Sequence, residues 1–346
     1  MAPVEAEEAP LWTPKNASAA QSTIFRQRIN DRYNFSLSTY EQLWGWACSN
    51  RGAFWSEVWD FENVIGTKGS PPYVDESARP SSNPTWFPDA SLNWAENQLR
   101  HHSTHPDDIA LIQISESCPG WTPPAKKVTQ RELYALVGRL QRSMKQSGLE
   151  KGDRVAYWGG NTLEAVVVLL ATSSLGGIFS SAAADFGTDG VIERMTQIRP
   201  KLLFVTNGVV YNAAPRPLLP LLPVLLKNLE YPPDKVVMVN HLSEELVPLP
   251  SGLAKEVVGW EEYLDKGDGE VEFVRMGFNE PIWILFSSGT TGKPKAIVVS
   301  NVSYAQLVHV LIRQHRQGGM LIDSLRESHI AGDIGRGDVY FYYTTP

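Results

Sequence analysis

Short apolar runs and amphipathic segments alternate along the chain from about residue 109 onward. Helices are indicated where apolar residues recur every three or four positions, and strands where β-branched and aromatic residues run together. The predicted elements are a strand at Ile109–Ile114, a helix from Thr129 to Gln146, a strand at Arg154–Trp158, a helix at Leu163–Leu175, a helix from Thr188 or Asp189 to just before Pro200, and strands at Lys201–Val205 and Lys235–Val239. This repetition predicts an α/β fold with a largely parallel sheet flanked by helices.

The first hundred residues follow a different pattern. Residues 1–18 are predicted to be a flexible leader, and a helical pattern rich in tryptophan runs from Gln21 to Trp59. Aromatic residues at such spacings are typical of core packing, so these side chains are expected in the core. They are Trp44, Trp46, Trp55 and Trp59. The stretch Gly66–Pro84, rich in Gly, Pro and Ser, is predicted to be a connector.

Two short motifs are better explained by structure than by function. Asp185-Phe-Gly187 matches the magnesium-binding triplet of protein kinases, but the chain has neither the His-Arg-Asp catalytic loop nor an upstream glycine-rich loop. Residues Pro215–Pro223 contain a PxxP pattern, which would suit a polyproline ligand. The leucines interleaved with these prolines favour instead a buried segment that becomes helical after Pro223.

Composition and charge narrow the class of protein. Of the 346 residues, 42% are hydrophobic and 20% are charged, as in ordinary globular proteins. The formal net charge of −7 argues against nucleic acid and anionic membranes as partners. Cys48 and Cys118 cannot make a disulfide framework and have no metal-ligand spacing around them, which predicts reduced thiols. With no signal-like N-terminus and no long apolar run, a cytoplasmic (cytosolic) protein is expected.

The stretch from Leu285 to Val298, LFSSGTTGKPKAIV, is the most informative about chemistry. Two apolar runs enclose a loop of hydroxyl residues, glycines and lysines. Glycines let backbone N–H groups approach an anion closely, and hydroxyl and ammonium groups add donors and charge, as a polyphosphate requires. The candidate loop residues are Ser287, Ser288, Gly289, Thr290, Thr291, Gly292, Lys293 and Lys295.

The spacing of this candidate loop differs from that of a Walker A motif, which has a longer spacer between its glycines. Only Thr290 and Thr291 separate Gly289 from Gly292. Because Pro294 prevents a helix from starting directly after the loop, strand–loop–strand geometry is predicted. The alternative is a Gly/Thr-rich surface hairpin without a ligand, but the full string between two apolar runs favours a binding loop.

The candidate loop resembles the phosphate-binding signature of the adenylate-forming superfamily of acyl-CoA synthetases. Further strings are similar to its acetoacetate–CoA ligase branch, and the likeness runs from about Tyr40 to the end with one interruption. These strings are Trp86–Asn97, Ala171–Ser181, Asp185–Gly187 and Pro281–Phe286. The resemblance implies the α/β N-terminal domain of the superfamily, with layers of sheet and helices, incomplete here and without the C-terminal domain. It implies a cap region at residues 19–100 and a truncated AMP-binding (adenylation) domain at 101–346.

The resemblance also implies a ligase reaction in two steps. A carboxylate, acetoacetate in this branch, attacks the α-phosphorus of ATP, and the thiol of coenzyme A then displaces AMP from the acyl-adenylate. The loop would hold the phosphates and stabilise the departing pyrophosphate, with Lys293 and Thr291 as catalytic donors. Mg²⁺ would be held mainly by substrate oxygens, so no protein residue is assigned to metal.

The chain departs from the superfamily at its end. It stops at Pro346, ahead of the blocks that line the acyl pocket, bind adenine and ribose, and carry the adenylation lysine. The resemblance therefore implies an N-terminal fragment that is inactive by itself. Two alternatives stay open: a ligase for another short acid such as acetate or propionate, and a non-catalytic nucleotide-binding fragment. The expected partners are small-molecule substrates.

An interruption follows the candidate loop. The strand Ala296–Val298 should continue directly into His315–Leu321, but residues 299–314 lie between them. Valine codons begin with GT and one glutamine codon is CAG, so our hypothesis is a retained intron of fungal size between Val299 and Gln314. The alternative is an amphipathic helix, because apolar residues recur there at helical spacing. They are Tyr304, Leu307, Val308, Leu311 and Ile312.

Overall fold

The computed structural model describes residues 16–243, 257–287, 295–298 and 316–341. Most of the predicted leader and the whole predicted insert lie outside these residues. The chain packs as two units. The first unit takes in the chain up to Val64, Pro71–Thr85 and Ile322–Phe341, and the second takes in Ile65–Ser70 and Trp86–Leu321. The domain boundaries predicted near residues 18 and 100 stay predictions.

The first unit is helical, as its sequence pattern predicts. Its helices are α1 (Gln21–Tyr33), α2 (Tyr40–Ser49) and α3 (Arg51–Phe61), with a 3-10 turn at Pro80–Ser82 and a π-helical turn at Arg326–Ala331. Phe25 of α1 is buried between two rings of α3, with its centroid 5.8 Å from Phe54 and 5.2 Å from Phe61, both edge-to-face. These contacts supply apolar burial and aromatic pairing at once.

The expectation that all four tryptophans are core residues is wrong for Trp44. Trp59 is buried and Trp46 packs against Tyr33 and Phe54, but Trp44 is 59% exposed. The reason lies in helix geometry: positions two residues apart in an α-helix point to nearly opposite sides. Once Trp46 of α2 faces its neighbours, Trp44 must face away from them.

The second unit contains the alternating elements. Its first strands and helix are β1 (Gly66–Thr67), β2 (Ser91–Leu92), α4 (Trp94–Gln98), β3 (Ile109–Gln113) and β4 (Lys126–Thr129). They are followed by α5 (Gln130–Gln146), β5 (Arg154–Gly159), α6 (Leu163–Ser174), β6 (Ile178–Ala183), α7 (Thr188–Ile198), β7 (Leu202–Thr206), β8 (Gly208–Tyr211), β9 (Ala214–Pro217) and α8 (Leu222–Asn228). The remainder are β10 (Lys235–Val239), β11 (Val257–Gly259), α9 (Trp260–Tyr263), β12 (Met276–Gly277), β13 (Ile284–Ser287), β14 (Lys295–Val298) and the start of α10 (Gln317–Leu325).

Five strands form the central sheet in the order β11-β10-β7-β5-β6, and every neighbouring pair is parallel. The predicted parallel sheet is therefore confirmed. All five residues of β7 are buried, which fits a strand covered on both faces. The chain goes from β5 to β6 and then crosses to the other side of β5 to form β7. The carboxyl ends of β5 and β7 thus mark a topological switch point, where such sheets bind ligands.

The helices around this sheet begin where the sequence predicts. Thr129 accepts a hydrogen bond from the backbone N–H of Glu132, whose side chain binds the Thr129 N–H in return, so α5 starts with a capping box. Thr162 caps α6 by accepting from the N–H of Ala165 at 3.2 Å. Gly176 ends that helix region with φ +74°, a conformation that glycine adopts without strain.

Two segments differ in detail from their predictions. β3 does not join the parallel sheet but pairs antiparallel with β4, because the connection between them contains no crossover helix. The proline-rich segment becomes helical as predicted, and Leu219, Leu222 and Leu225 lie in the core, while its prolines are exposed. Its first part, however, forms β9 in a hairpin with β8. In the described part of the chain, no helix is both long and apolar enough to cross a membrane.

Candidate active site

The candidate loop connects two paired strands. β13 and β14 are antiparallel, with Ile284 opposite Val298 and Ser287 opposite Lys295. The predicted strand–loop–strand geometry is therefore confirmed for the backbone on either side of the loop. The last described pair of this ladder is Ser287 opposite Lys295.

This hairpin is attached to the edge strand β6 of the central sheet. The N–H of Phe179 donates to the carbonyl of Ile282 at 2.8 Å, in a parallel bridge between Phe179 and Trp283. The buried Ser180 hydroxyl donates to the carbonyl of Ile284, also at 2.8 Å. Since β13 runs parallel to β6, its Ser287 end lies at the carboxyl edge of the sheet, the edge at which β5, β6, β7 and β10 end.

The Trp86–Asn97 string supports the segment that leads into the hairpin. Asn279 exchanges two hydrogen bonds with the backbone of Trp86, at 3.2 and 2.6 Å. The Trp94 ring lies edge-on to Trp283, with centroids 5.4 Å apart. The buried Asn93 side chain donates to three carbonyls, those of Ser173, Ser174 and Val274. In the described residues, this string thus acts as a framework that fixes where β13 begins.

The start of α10 is fixed against the same segment. The N–H of Gln317 donates to the carbonyl of Glu280 at 2.9 Å, and that of Gly318 donates to the carbonyl of Phe278 at 3.1 Å. A Cβ at Gly318 would lie 2.1 Å from the Phe278 ring, so the close approach requires glycine. The backbone at Gln317 and Gly318 is therefore part of the framework that leads into the hairpin.

An arginine lies between the hairpin and the turn that follows β6. The guanidinium carbon of Arg194, on α7, is 4.2 Å from the ring centroid of Phe186 and 5.3 Å from that of Phe286. Its Nη1 donates to the carbonyl of Gly190 at 2.7 Å. Burial lowers the pKa of Arg194, and the nearby Glu193 opposes this effect. Phe286 directly precedes Ser287, so this positive charge lies at the base of the candidate loop.

Further polar groups lie near the switch point. The hydroxyls of Tyr157 and Thr162 are 2.9 Å apart, and burial raises the pKa of Tyr157. Lys126 Nζ lies 3.1 Å from the Glu164 carboxylate. Burial lowers the pKa of the half-buried His241, with Glu164 opposing the change and Lys126 adding to it. This edge of the sheet therefore presents both hydrogen-bonding groups and charge.

Two of the predicted site residues lie in the described part of the chain, and the roles of all of them stay predictions. Ser287 and Lys295 are brought together through their backbones. The other predicted residues lie outside the described ones, and these are Ser288, Gly289, Thr290, Thr291, Gly292 and Lys293. No group of three or more His, Cys, Asp or Glu residues is placed to hold a metal ion in the described part of the chain.

Sequence reasoning missed Arg194 as a site residue, although a signal was present. Val191, Met195 and Ile198 form the buried face of α7, and Arg194 falls between them at helical spacing. A charged residue on an apolar helix face is unusual and calls for a partner.

Comparison with known proteins identifies the family. The profile of the family described as "AMP-binding enzyme" matches residues 99–333. The chain belongs to the AMP-binding enzyme family. It is 34% identical to the acetoacetyl-CoA synthetase of Danio rerio, covering 97% of this chain and 47% of that protein. It is 33% identical to the malonamoyl-CoA synthetase vrtB of Penicillium aethiopicum, covering 97% of this chain and 44% of that protein.

A solved structure agrees with this membership. The acetoacetyl-CoA synthetase from Streptomyces lividans matches with a TM-score of 0.83 and 30% identity, over 97% of this chain and 48% of that one. The chain thus spans about half the length of the relatives it matches. The AMP-binding family comprises acyl-CoA synthetase ligases, so the predicted family, the α/β fold of its N-terminal domain and the enzyme class are confirmed at this level.

Proposed function

We propose that the protein to which this chain belongs is an acetoacetate–CoA ligase that consumes ATP and passes through an acyl-adenylate. The observation that carries this proposal is the Ser287–Lys295 hairpin at the carboxyl edge of a parallel sheet, in a chain similar to acetoacetyl-CoA synthetases. A loop between paired strands directs successive backbone N–H groups into one concave turn, which suits a polyphosphate. We also propose the cytosol as its location, since Cys48 and Cys118 are free thiols.

In this mechanism the loop binds and orients the leaving group. Lys293 and Lys295 supply positive charge, and the hydroxyls of Ser287, Ser288, Thr290 and Thr291 donate hydrogen bonds. The glycines Gly289 and Gly292 expose N–H groups. Such donors stabilise the charge that develops on pyrophosphate as the carboxylate attacks the α-phosphorus. Mg²⁺, when bound with ATP, would neutralise phosphate charge and take most of its ligands from the substrate.

A second acid is favoured by one specific observation. A relative of nearly equal identity is named malonamoyl-CoA synthetase. Acetoacetate and malonamate both carry a carbonyl on the carbon next to the carboxymethyl group, and they differ only in a terminal methyl or amino group. An apolar pocket built for the methyl group rejects an isosteric polar group by only about a hundredfold, so such a pocket would separate the two acids weakly. We rank acetoacetate first because relatives from several organisms, and the matched solved structure, are acetoacetyl-CoA synthetases.

The test is pyrophosphate release by a form of the protein with the length of its relatives. ATP and Mg²⁺ are supplied with acetoacetate, malonamate or acetate, and we expect acetoacetate to give the highest kcat/KM. Lys293→Ala and Thr291→Ala should each lower that value by about tenfold to a thousandfold. Lys227→Ala, which removes an exposed lysine from α8, is the matched control and should not change it.

Each result bears on a separate part of the proposal. A preference for acetate would overturn the choice of substrate class. Wild-type rates in both loop variants would overturn the role of the loop while leaving the family assignment intact.

A further inference from the structure

We infer that Arg194 is a positioning residue for the candidate phosphate loop: its guanidinium, held between Phe186 and Phe286, fixes the end of β13 from which the loop starts. This inference rests on the proposed function. It concerns a residue of α7 that lies well before the loop in the sequence and is no part of the loop signature.

The contacts of Arg194 join two elements that border the same edge of the sheet. Phe186 belongs to the turn after β6, and its ring centroid is 4.2 Å from the guanidinium carbon. Phe286 belongs to β13, with its centroid at 5.3 Å. A cation over an aromatic face is attracted by the ring quadrupole at such distances. The guanidinium of this arginine therefore contacts both the base of the hairpin and the turn after β6.

The position of Arg194 is unfavourable for a residue that only adds stability. It lies beside Val191 and Met195 on the face of α7 that packs into the core. Its Nε is buried and has no hydrogen-bond partner among the described residues. Burying a charged donor without a partner costs free energy, which an apolar residue would avoid. The retained charge points to a task other than packing.

The task follows from what adjoins Phe286. The next residue, Ser287, is paired with Lys295 at the last described rung before the loop. A shift of the Phe286 ring would move this rung, from which the candidate loop continues. Binding of a polyphosphate depends on the placement of these donors, and small displacements are costly. The guanidinium also adds positive charge at the base of a loop that would hold phosphates.

The experiment measures the dissociation constants of MgATP and magnesium pyrophosphate by titration calorimetry, for a form of the protein with the length of its relatives. The variants are Arg194→Ala, Arg194→Lys and Phe186→Leu. The matched control is Arg199→Ala, because Arg199 stacks on Tyr231 at 4.0 Å beyond the far end of α7. We expect Arg194→Ala to raise both dissociation constants about threefold to thirtyfold, the size of one or two cation–π contacts. Arg194→Lys should recover part of the loss, and Arg199→Ala should bind like wild type.

The readout separates positioning from folding. A purely structural role would lower the number of binding sites per chain, which reports the folded fraction, and leave the dissociation constant of the folded molecules unchanged. That result, or wild-type affinity in Arg194→Ala and Phe186→Leu, would overturn the inference alone. If Arg194→Ala does not fold, Phe186→Leu and Arg194→Lys provide the same test. If wild type binds neither ligand, the inference and the proposed function both fail.

Discussion

The two units differ in whether their buried polar side chains have hydrogen-bond partners. In the first unit, the carboxylate of Glu57 is 1% exposed and is bound by three side chains: Arg28 Nε at 3.1 Å, Arg32 Nε at 2.8 Å and the Tyr33 hydroxyl at 3.2 Å. In the second unit, Arg194 Nε, Thr206 Oγ1 and Trp158 Nε1 are buried without a hydrogen-bond partner among the described residues. Across the described residues, all such unpartnered side-chain atoms lie in the second unit.

We interpret this difference as one between a structural unit, the first, and a unit that carries the candidate site, the second. A buried charge whose partners are complete ties helices together, as Glu57 of α3 ties to α1. Open hydrogen-bonding capacity is costly to retain, and two of these atoms lie near the candidate site. Thr206 ends β7 at the switch point, and Arg194 lies at the base of the hairpin. The second unit therefore has the groups with which a ligand can interact.

The largest effect on stability is expected from Glu57→Gln. The change removes the charge that Arg28 and Arg32 share, but these side chains are 37% and 53% exposed and can be hydrated. We therefore expect a loss of about 2 kcal/mol in the free energy of unfolding, below that for a fully buried pair. Urea denaturation followed by circular dichroism measures it, because the first unit is helical.

A control and a second measurement sharpen this test. Asp60 lies 3.9 Å from Arg32 in a partly exposed pair, so Asp60→Asn should cost less than about 0.5 kcal/mol. Glu57→Gln should leave the affinity of folded protein for MgATP unchanged. A weakened affinity would contradict the division between scaffold and site.

An intermediate effect on stability is expected when Thr206 and Thr162 are each replaced by valine. Thr206→Val removes a buried hydroxyl that has no partner in the described residues, so we expect stability to stay equal or rise by up to about 1 kcal/mol. Thr162→Val removes a helix cap and a hydrogen bond to Tyr157, and should cost about 1–2 kcal/mol. Thermal unfolding of both variants gives the comparison. Equal losses at the two positions would show that Thr206 has a partner after all.

Sequence patterns predicted the part of the fold that apolar burial determines. β5, β7 and β10 are continuous apolar runs between turn residues, and the capping residue Thr129 marked the start of α5. The hairpin followed from Pro294, which prevents a helix from starting there. These features are local, so a short window of sequence contains them.

The parts that were missed depend on contacts between distant residues. β3 was assigned to the alternating strands because periodicity cannot distinguish a parallel from an antiparallel partner. Trp44 was assigned to the core because its spacing does not show which face of α2 is covered. Arg194 became a site residue only when the fold placed Phe286, which is ninety-two positions later, over its guanidinium. The loop signature gave the chemistry, but not the residues that hold the loop in place.

The smallest effect is expected from the pH dependence of His241. Burial lowers the pKa of this imidazole in the folded protein. The unfolded chain, in which the pKa is about 6.5, therefore takes up its proton at a higher pH than the folded chain does. Stability from this source is present above that pH and is lost as the pH falls through the folded pKa. Glu164 opposes the shift and Lys126 adds to it, so we expect a smaller effect here than at Glu57 or Thr162.

His241→Asn removes this titration and keeps a polar side chain. It also keeps the hydrogen bonds that Asn207 Oδ1 accepts from the N–H groups of residues 241 and 242, because both come from the backbone. The measurement is the difference in unfolding free energy between pH 7.5 and pH 5.5 (roughly one unit either side of the unfolded-state pKa). We expect that difference to be smaller in His241→Asn than in wild type, and unchanged in the exposed control His101→Asn. A larger loss of stability in the variant at acid pH would mean that the folded protein prefers the protonated ring. Groups at the carboxyl edge of the sheet would then stabilise the charged His241 ring, as side chains of the first unit stabilise the Glu57 carboxylate.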